Sequence, residues 1–179
     1  FGYDKDELDV FENSPDSGRY MMYGTDEALL QLEMLSENAA DKDSYEEIKK
    51  LLDIDEYINY MAAEMFLGSW DWPDNNVKGY RKHDDGRYRI VMFDMDAAFD
   101  TDNREMTENS SIAMNGNFFY WLDGMQWHTF DYIYDTGTRK YGEIKFCTFF
   151  FNMLRNDEFR KRFIDTFCIM GGSVFNTTK

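Results

Sequence analysis

The stretch 64-EMFLGSWDWPDNNVKGYRKHDDGRYRIVMFDMDAAF-99 holds two groups of hard oxygen donors on either side of a short basic segment. Asp71 and Asn76 stand before the segment, and Asp94 and Asp96 follow it. Carboxylates and carboxamides of this kind suit a small divalent cation. Mg²⁺ demands octahedral oxygen ligands and is held by one or two carboxylates plus phosphates and water. A further carboxylate can orient a hydroxyl and accept its proton. The groups lie about twenty residues apart, so this chemistry needs a local fold that brings them together. The intervening residues supply one. Val77–Lys82 and Arg87–Phe93 are strand-like, and His83-Asp84-Asp85-Gly86 is turn-like. A β-hairpin here folds the second group back onto the first.

The order of parts is the order used for phosphoryl transfer in protein kinases: an Asp, an Asn five residues on, a small hairpin, then a metal-binding Asp. By that logic Asp71 orients the attacking hydroxyl, and Asn76 and Asp94 ligate metal. Asp96 faces the same way as Asp94 if the strand continues, adding a ligand or an outer contact. Asn75 replaces Asn76 if the register is shifted by one. The plain alternative for Asp71 and Asn76 is an ordinary turn, because Asn and Asp bond their own backbone. Asp94 resists it better. It follows the apolar run Ile90-Val91-Met92-Phe93, and a carboxylate leaving a buried strand needs a partner or a metal. Asp100 and Asp102 read as solvated loop charges, and His83 and His128 as structural or exposed. No G-x-S-x-G, Walker A loop or Cys/His metal spacing is present.

The surrounding elements must position these residues. Residues 1–24 read as polar and turn-rich, with Ser14-Pro15-Asp16 and Ser17-Gly18 as breaks. Thr25 is expected to cap a helix with Leu29, Leu30, Leu32 and Leu35 as its apolar stripe. A second helix is expected over 44–52, with Ile48, Leu51 and Leu52 inward. Asp53 caps a third, with Glu56 in capping-box position, and Ile58, Met61, Ala62 and Met65 on one face up to Gly68. Residues 100–125 read as a long loop, anchored by Phe118, Phe119, Tyr120 and Trp121. Phe146, Phe149, Phe150, Met153 and Leu154 mark a further helix. Asn156 or Asp157 starts the last one, with Phe159, Phe163, Phe167 and Met170 on one face and Gly171 as its C-cap. The expected class is α+β, one mainly helical domain over 1–179 with a small β-hairpin at the active site.

Composition narrows the partners. The chain is 43% hydrophobic and 18% aromatic, enough for a core. Its net charge of -16, from 35 acids and 19 bases, opposes nucleic acid and suits cationic partners or divalent metals. Cys147 and Cys168 both lie among Phe and Ile, where free cysteine packs as a small core residue; a disulfide between them has no support in the sequence. No run of 18 apolar residues exists, so no membrane span is expected in this segment. Neither end, FGYDKDELDVF or GGSVFNTTK, looks like a natural terminus, so a fragment of a longer protein is expected.

Trp70-Asp71-Trp72-Pro73-Asp74-Asn75-Asn76, Gly86-Arg87-Tyr88 and Asp94-Met95-Asp96-Ala97-Ala98-Phe99 together resemble the CotH family of spore-coat protein kinases. That family shows a D-x-x-x-N-N stretch, a Tyr- and Arg-bearing hairpin and a D-x-D-x-x-F motif. Asp53–Ile58 looks like its lead-in helix and Asn156–Phe163 like its following helix, so the likeness covers most of residues 50–170. The resemblance implies an atypical protein-kinase-like fold, ATP with Mg²⁺ or Mn²⁺ as cofactors, and phosphorylation of Ser or Thr on a protein substrate. It implies a spore-coat, secreted or cell-surface location. It also implies catalysis by Asp71 and metal binding by Asn76 and Asp94. Two positions depart from the pattern: Asp100 stands where Gly is frequent, and Phe93 where Trp is common. The N-terminal lobe that covers ATP, with its Lys–Glu pair, is not identifiable, so the chain is expected to be mainly the C-terminal lobe.

Two other readings compete. One is a non-catalytic surface, adhesion or spore-coat assembly module of the same ancestry, using the acidic, aromatic loop 100–135. The other is a calcium-binding structural domain on Asp94, Asp96, Asp100 and Asp102, which lacks the glycine an EF-hand loop needs at its sixth position.

Overall fold

The computed structural model describes residues 3–14, 18–67, 72–73, 75–83, 86–98 and 145–174. A 3-10 turn at Lys5–Glu7 leads into strand β1 (Leu8–Ser14) and strand β2 (Gly18–Tyr23). Helices α1 (Glu27–Ser36), α2 (Lys42–Leu51) and α3 (Ile54–Leu67) follow. Then come β3 (Lys78–Lys82), β4 (Tyr88–Val91) and a 3-10 turn at Met95–Ala97. Helix α4 (Lys145–Met153), helix α5 (Asp157–Ile169) and a π-helical turn at Met170–Val174 close the described chain.

The class is α+β, but the β part is larger than the sequence implied. The expected hairpin is half of a four-stranded antiparallel sheet in the order β2-β1-β3-β4. Residues 8–14 and 18–23, expected as part of a turn-rich segment, form its other half. The reason is chemical. The core-facing positions of β1 include Asp9 and Asn13 as well as Phe11, while Val10 on the opposite face is also buried. A strand that buries polar residues and breaks register between Val10 and Phe11 loses the clean apolar alternation that betrays most strands.

The helices follow their sequence signals. Asp41 caps α2 by accepting from the Ser44 N–H at 3.0 Å, and Asn156 caps α5 by accepting from the Phe159 N–H at 3.1 Å. Asp53 accepts from the Glu56 N–H at a longer 3.4 Å. Its own N–H donates to the Tyr88 carbonyl at 3.0 Å, which ties the start of α3 to β4. Three expectations at helix ends and faces fail. Asp26 rather than Thr25 precedes α1, without a side-chain cap bond, and the Thr25 N–H donates to Asp9. Leu30 is 43% exposed, off the buried stripe of Ala28, Leu29 and Leu32. Gly171 does not cap α5, because the chain continues into the π-helical turn.

One apolar core joins sheet and helices. Phe11 and Ile90 from the sheet meet Ile48, Ile58, Met61, Phe150, Met153, Phe159 and Phe163. Burying each such side chain contributes about 1.5–3 kcal/mol. Aromatic rings meet edge to face, Phe150 and Phe163 with centroids 5.1 Å apart and Tyr57 and Phe149 at 5.6 Å. The Asn156 amide reaches the Ala39 carbonyl at 2.8 Å and fixes α5 to the α1–α2 connection. Cys147 is buried in this core. Cys168 is an exposed free thiol, not the core residue its apolar neighbours suggested.

Candidate functional site

The ladder that pairs Lys78 with Val91 releases both strands at one end of the β3–β4 hairpin. Asn76-Val77 enters there and Met92–Asp94 leaves, so the hairpin brings the two motifs to one edge. The Asn76 amide N–H donates to the Asp94 carbonyl oxygen at 3.5 Å. Asn76 is buried and Asp94 exposed. Among the described residues, these two are the non-glycine positions with positive φ, each at 55°. Such backbone is disfavoured for residues with a Cβ, and Asn and Asp tolerate it best. Non-glycine residues held there cluster at active sites and ligand clamps. Asp94 opens the Met95–Ala97 turn without a side-chain cap bond, so its carboxylate is not committed to the turn.

The segment entering the hairpin is pinned from two elements. Trp72 is fully buried, and its indole N–H donates to the Tyr60 hydroxyl of α3 at 2.7 Å. Burial, with the Glu64 carboxylate adding, pushes that hydroxyl well above its ordinary pKa, so it stays protonated. From β1, the Asn13 side-chain amide donates to the Pro73 carbonyl at 3.1 Å, and its backbone N–H donates to the Val77 carbonyl at 2.8 Å. The Trp72–Pro73 peptide is cis. Asn13 and Glu64 are both buried, and sequence reading singled out neither. Glu64 left a trace, as a carboxylate beside the apolar positions Met61, Ala62 and Met65 of α3. Asn13 left none, since nothing local marks an Asn that bonds a residue sixty positions away.

The other end of the sheet holds a second polar cluster. The Asp9 carboxylate accepts from the Thr25 N–H at 2.9 Å and from Arg81 at 2.9 and 2.7 Å, and it meets the His83 ring at 3.1 Å. Burial alone would raise the Asp9 carboxyl. The Thr25 N–H, Arg81 and His83 outweigh it and hold the group below the ordinary carboxylate range. His83 therefore has a structural partner, in line with the expected structural or exposed role.

The candidate residues thus divide. Asn76 and Asp94 come together at the hairpin base. Asn75 is half-buried next to them. Strand alternation does not place Asp96 alongside Asp94, because β4 stops at Val91 and Asp96 lies exposed in the 3-10 turn. Asp71, Asp100, Asp102, His128 and the loop 100–135 lie outside the described residues. Among the described residues, no group of three or more His, Cys, Asp or Glu could by itself hold a metal. The donors at the hairpin base still fit Mg²⁺ or Mn²⁺. They are hard oxygens, and one or two protein carboxylates suffice when phosphates and water complete the octahedron. The ligand atom of Asn76 would be its amide oxygen, the hard donor of the carboxamide.

An α+β domain with acidic and carboxamide oxygens at a hairpin base is the class these observations define. The family model described as CotH kinase protein matches residues 9–179, and the chain belongs to that family. No curated protein and no solved structure matches the chain. Family membership points to kinase-related chemistry.

Proposed function

We propose that this chain carries the catalytic residues of an atypical protein kinase that moves the γ-phosphoryl group of ATP to a Ser or Thr hydroxyl of a protein. The observation that supports it best is the Asn76–Asp94 contact at the hairpin base, made by two residues in left-handed backbone. In this reading Asp71 orients the substrate hydroxyl and accepts its proton. The hydroxyl oxygen bonds to the γ-phosphorus, the bond to the β–γ bridging oxygen breaks, and ADP leaves. The Asn76 amide oxygen and the Asp94 carboxylate hold the divalent metal, and Asp96 contributes from the adjoining turn. Bound Mg²⁺ or Mn²⁺ would neutralise charge on the phosphate oxygens. Tyr60 and Asn13 hold the segment that leads from Trp72 to Asn76 against α3 and β1. The strands that cover ATP belong, in this reading, to a further N-terminal lobe, and the protein works at the spore coat or cell surface. None of the described helices is long and apolar enough to cross a membrane.

The test is transfer of label from γ-labelled ATP to protein by the full-length protein, N-terminal lobe included, with Mg²⁺ or Mn²⁺, beside its Asp94→Ala variant. The expected result is labelling that falls at least roughly a hundredfold in the variant, the scale seen when a charge-stabilising group is removed from an active site. Equal labelling by both proteins, or none by either, would favour the non-catalytic surface module instead.

A further inference from the structure

The β3–β4 hairpin is basic within a chain of net charge -16, and its cations are put to different uses. Arg81 is committed to buried Asp9. Arg89 bridges Asp53 and Glu56 at the start of α3. Lys82 lies over the Tyr3 ring. Lys78 is the cation at the end of the hairpin where Asn76 and Asp94 meet. It follows Asn76 by two residues. Its ammonium sits 4.7 Å above the ring of Phe93, the residue just before Asp94. The same ammonium is 2.8 Å from Glu12, its direct neighbour across the β1–β3 ladder. Lys78 keeps 30% of its side chain exposed.

We infer that Lys78 is a nucleotide-binding residue, whose ammonium contacts the phosphate oxygens of the metal–nucleotide complex at the hairpin base. The inference rests on the kinase reading and deepens it. A metal–triphosphate complex remains an anion, and the motif at the hairpin base adds Asp94 and Asp96. Binding there needs a fixed cation to offset the repulsion. An ammonium carries three N–H donors, and the bond to Glu12 uses one. Glu12 and the Phe93 ring limit where the head group can go, so less rotamer freedom is lost when phosphate arrives. The bland alternative is a cross-strand ion pair of the ordinary sort, with no tie to ligand.

Calorimetric titration of the full-length protein, N-terminal lobe included, with ATP in the presence of Mn²⁺, and separately with adenosine, distinguishes these. Lys78→Met is expected to weaken Mn²⁺–ATP binding roughly tenfold to a hundredfold, the worth of a charge-assisted hydrogen bond. Adenosine binding should not change, Lys78→Arg should lose less Mn²⁺–ATP affinity than Lys78→Met because it keeps the charge, and the melting temperature of Lys78→Met should match wild type. Wild-type Mn²⁺–ATP affinity in Lys78→Met, or an equal loss for adenosine, would overturn the assignment while leaving the kinase reading intact. Failure of the wild-type protein to bind Mn²⁺–ATP would overturn the kinase reading, and the assignment with it.

Discussion

At the Lys82 end of β3, the Asp9 side chain is 2% exposed and bonded to Thr25, Arg81 and His83. At the Lys78 end, Asp94 is exposed, has left-handed backbone and leaves its carboxylate out of the turn it opens. The two aspartates are held by one sheet, yet the contacts around Asp9 join elements of the fold, whereas no side-chain cap bond ties the Asp94 carboxylate to the turn it opens. A buried carboxylate with three partners stabilises a junction. An exposed one on disfavoured backbone contributes little to stability, so its presence needs another reason. The contrast teaches where to look for function in this molecule: at the sheet end where local geometry costs stability.

Substitutions should separate the two ends. Asp9→Ala is expected to destabilise the fold by about 2–4 kcal/mol, because it strands Arg81 and the Thr25 N–H at the junction of β1, β3 and α1; a urea midpoint measures it. Asn13→Ala should cost about 1–3 kcal/mol by leaving the Pro73 carbonyl unbonded, and it should also lower phosphate transfer, because Asn13 holds the segment ahead of Asn76. A variant with lowered stability and full transfer would show that the site does not depend on that clamp. Gly24→Ala should cost about 1–2 kcal/mol. Gly24 has φ +72, and an added Cβ would lie 2.1 Å from the Asp9 carboxylate and 2.6 Å from the Leu8 carbonyl oxygen.

The acid response should also mark the Asp9 end. Its folded-state pKa lies below the unfolded value, so its contribution is fully present above about pH 4 and fades as pH falls through the folded value. Wild type and Asp9→Asn should therefore differ most in urea midpoint near neutral pH and converge below about pH 4. A gap that stays constant across that range would mean that the cluster stabilises by shape rather than by charge.

The helices and the hairpin were legible because their signals are local. Asp53 and Asn156 stand three residues before the N–H groups they cap, and the α3 and α5 stripes recur at helical spacing. The meeting of Asn76 and Asp94 was legible for the same reason, since the register of one hairpin decides it. The β1–β2 half of the sheet was not. Asp9 and Asn13 occupy inward positions there because their partners, Arg81, His83 and Pro73, come from sixty or more residues away. The position of Asp96 was not legible, because β4 ends at Val91, three residues short of Asp94, and the turn that follows obeys no alternation.

The smallest stability change bears on the central claim most directly. Asp94→Gly places the one residue with no Cβ at φ 55, so the fold should keep its stability or gain up to about 1 kcal/mol. Transfer from γ-labelled ATP should fall at least roughly a hundredfold in the same protein, because the carboxylate is gone. A melting temperature that holds or rises while labelling disappears is the predicted result. Undiminished labelling by Asp94→Gly would contradict the account and return Asp94 to the role of an ordinary turn residue.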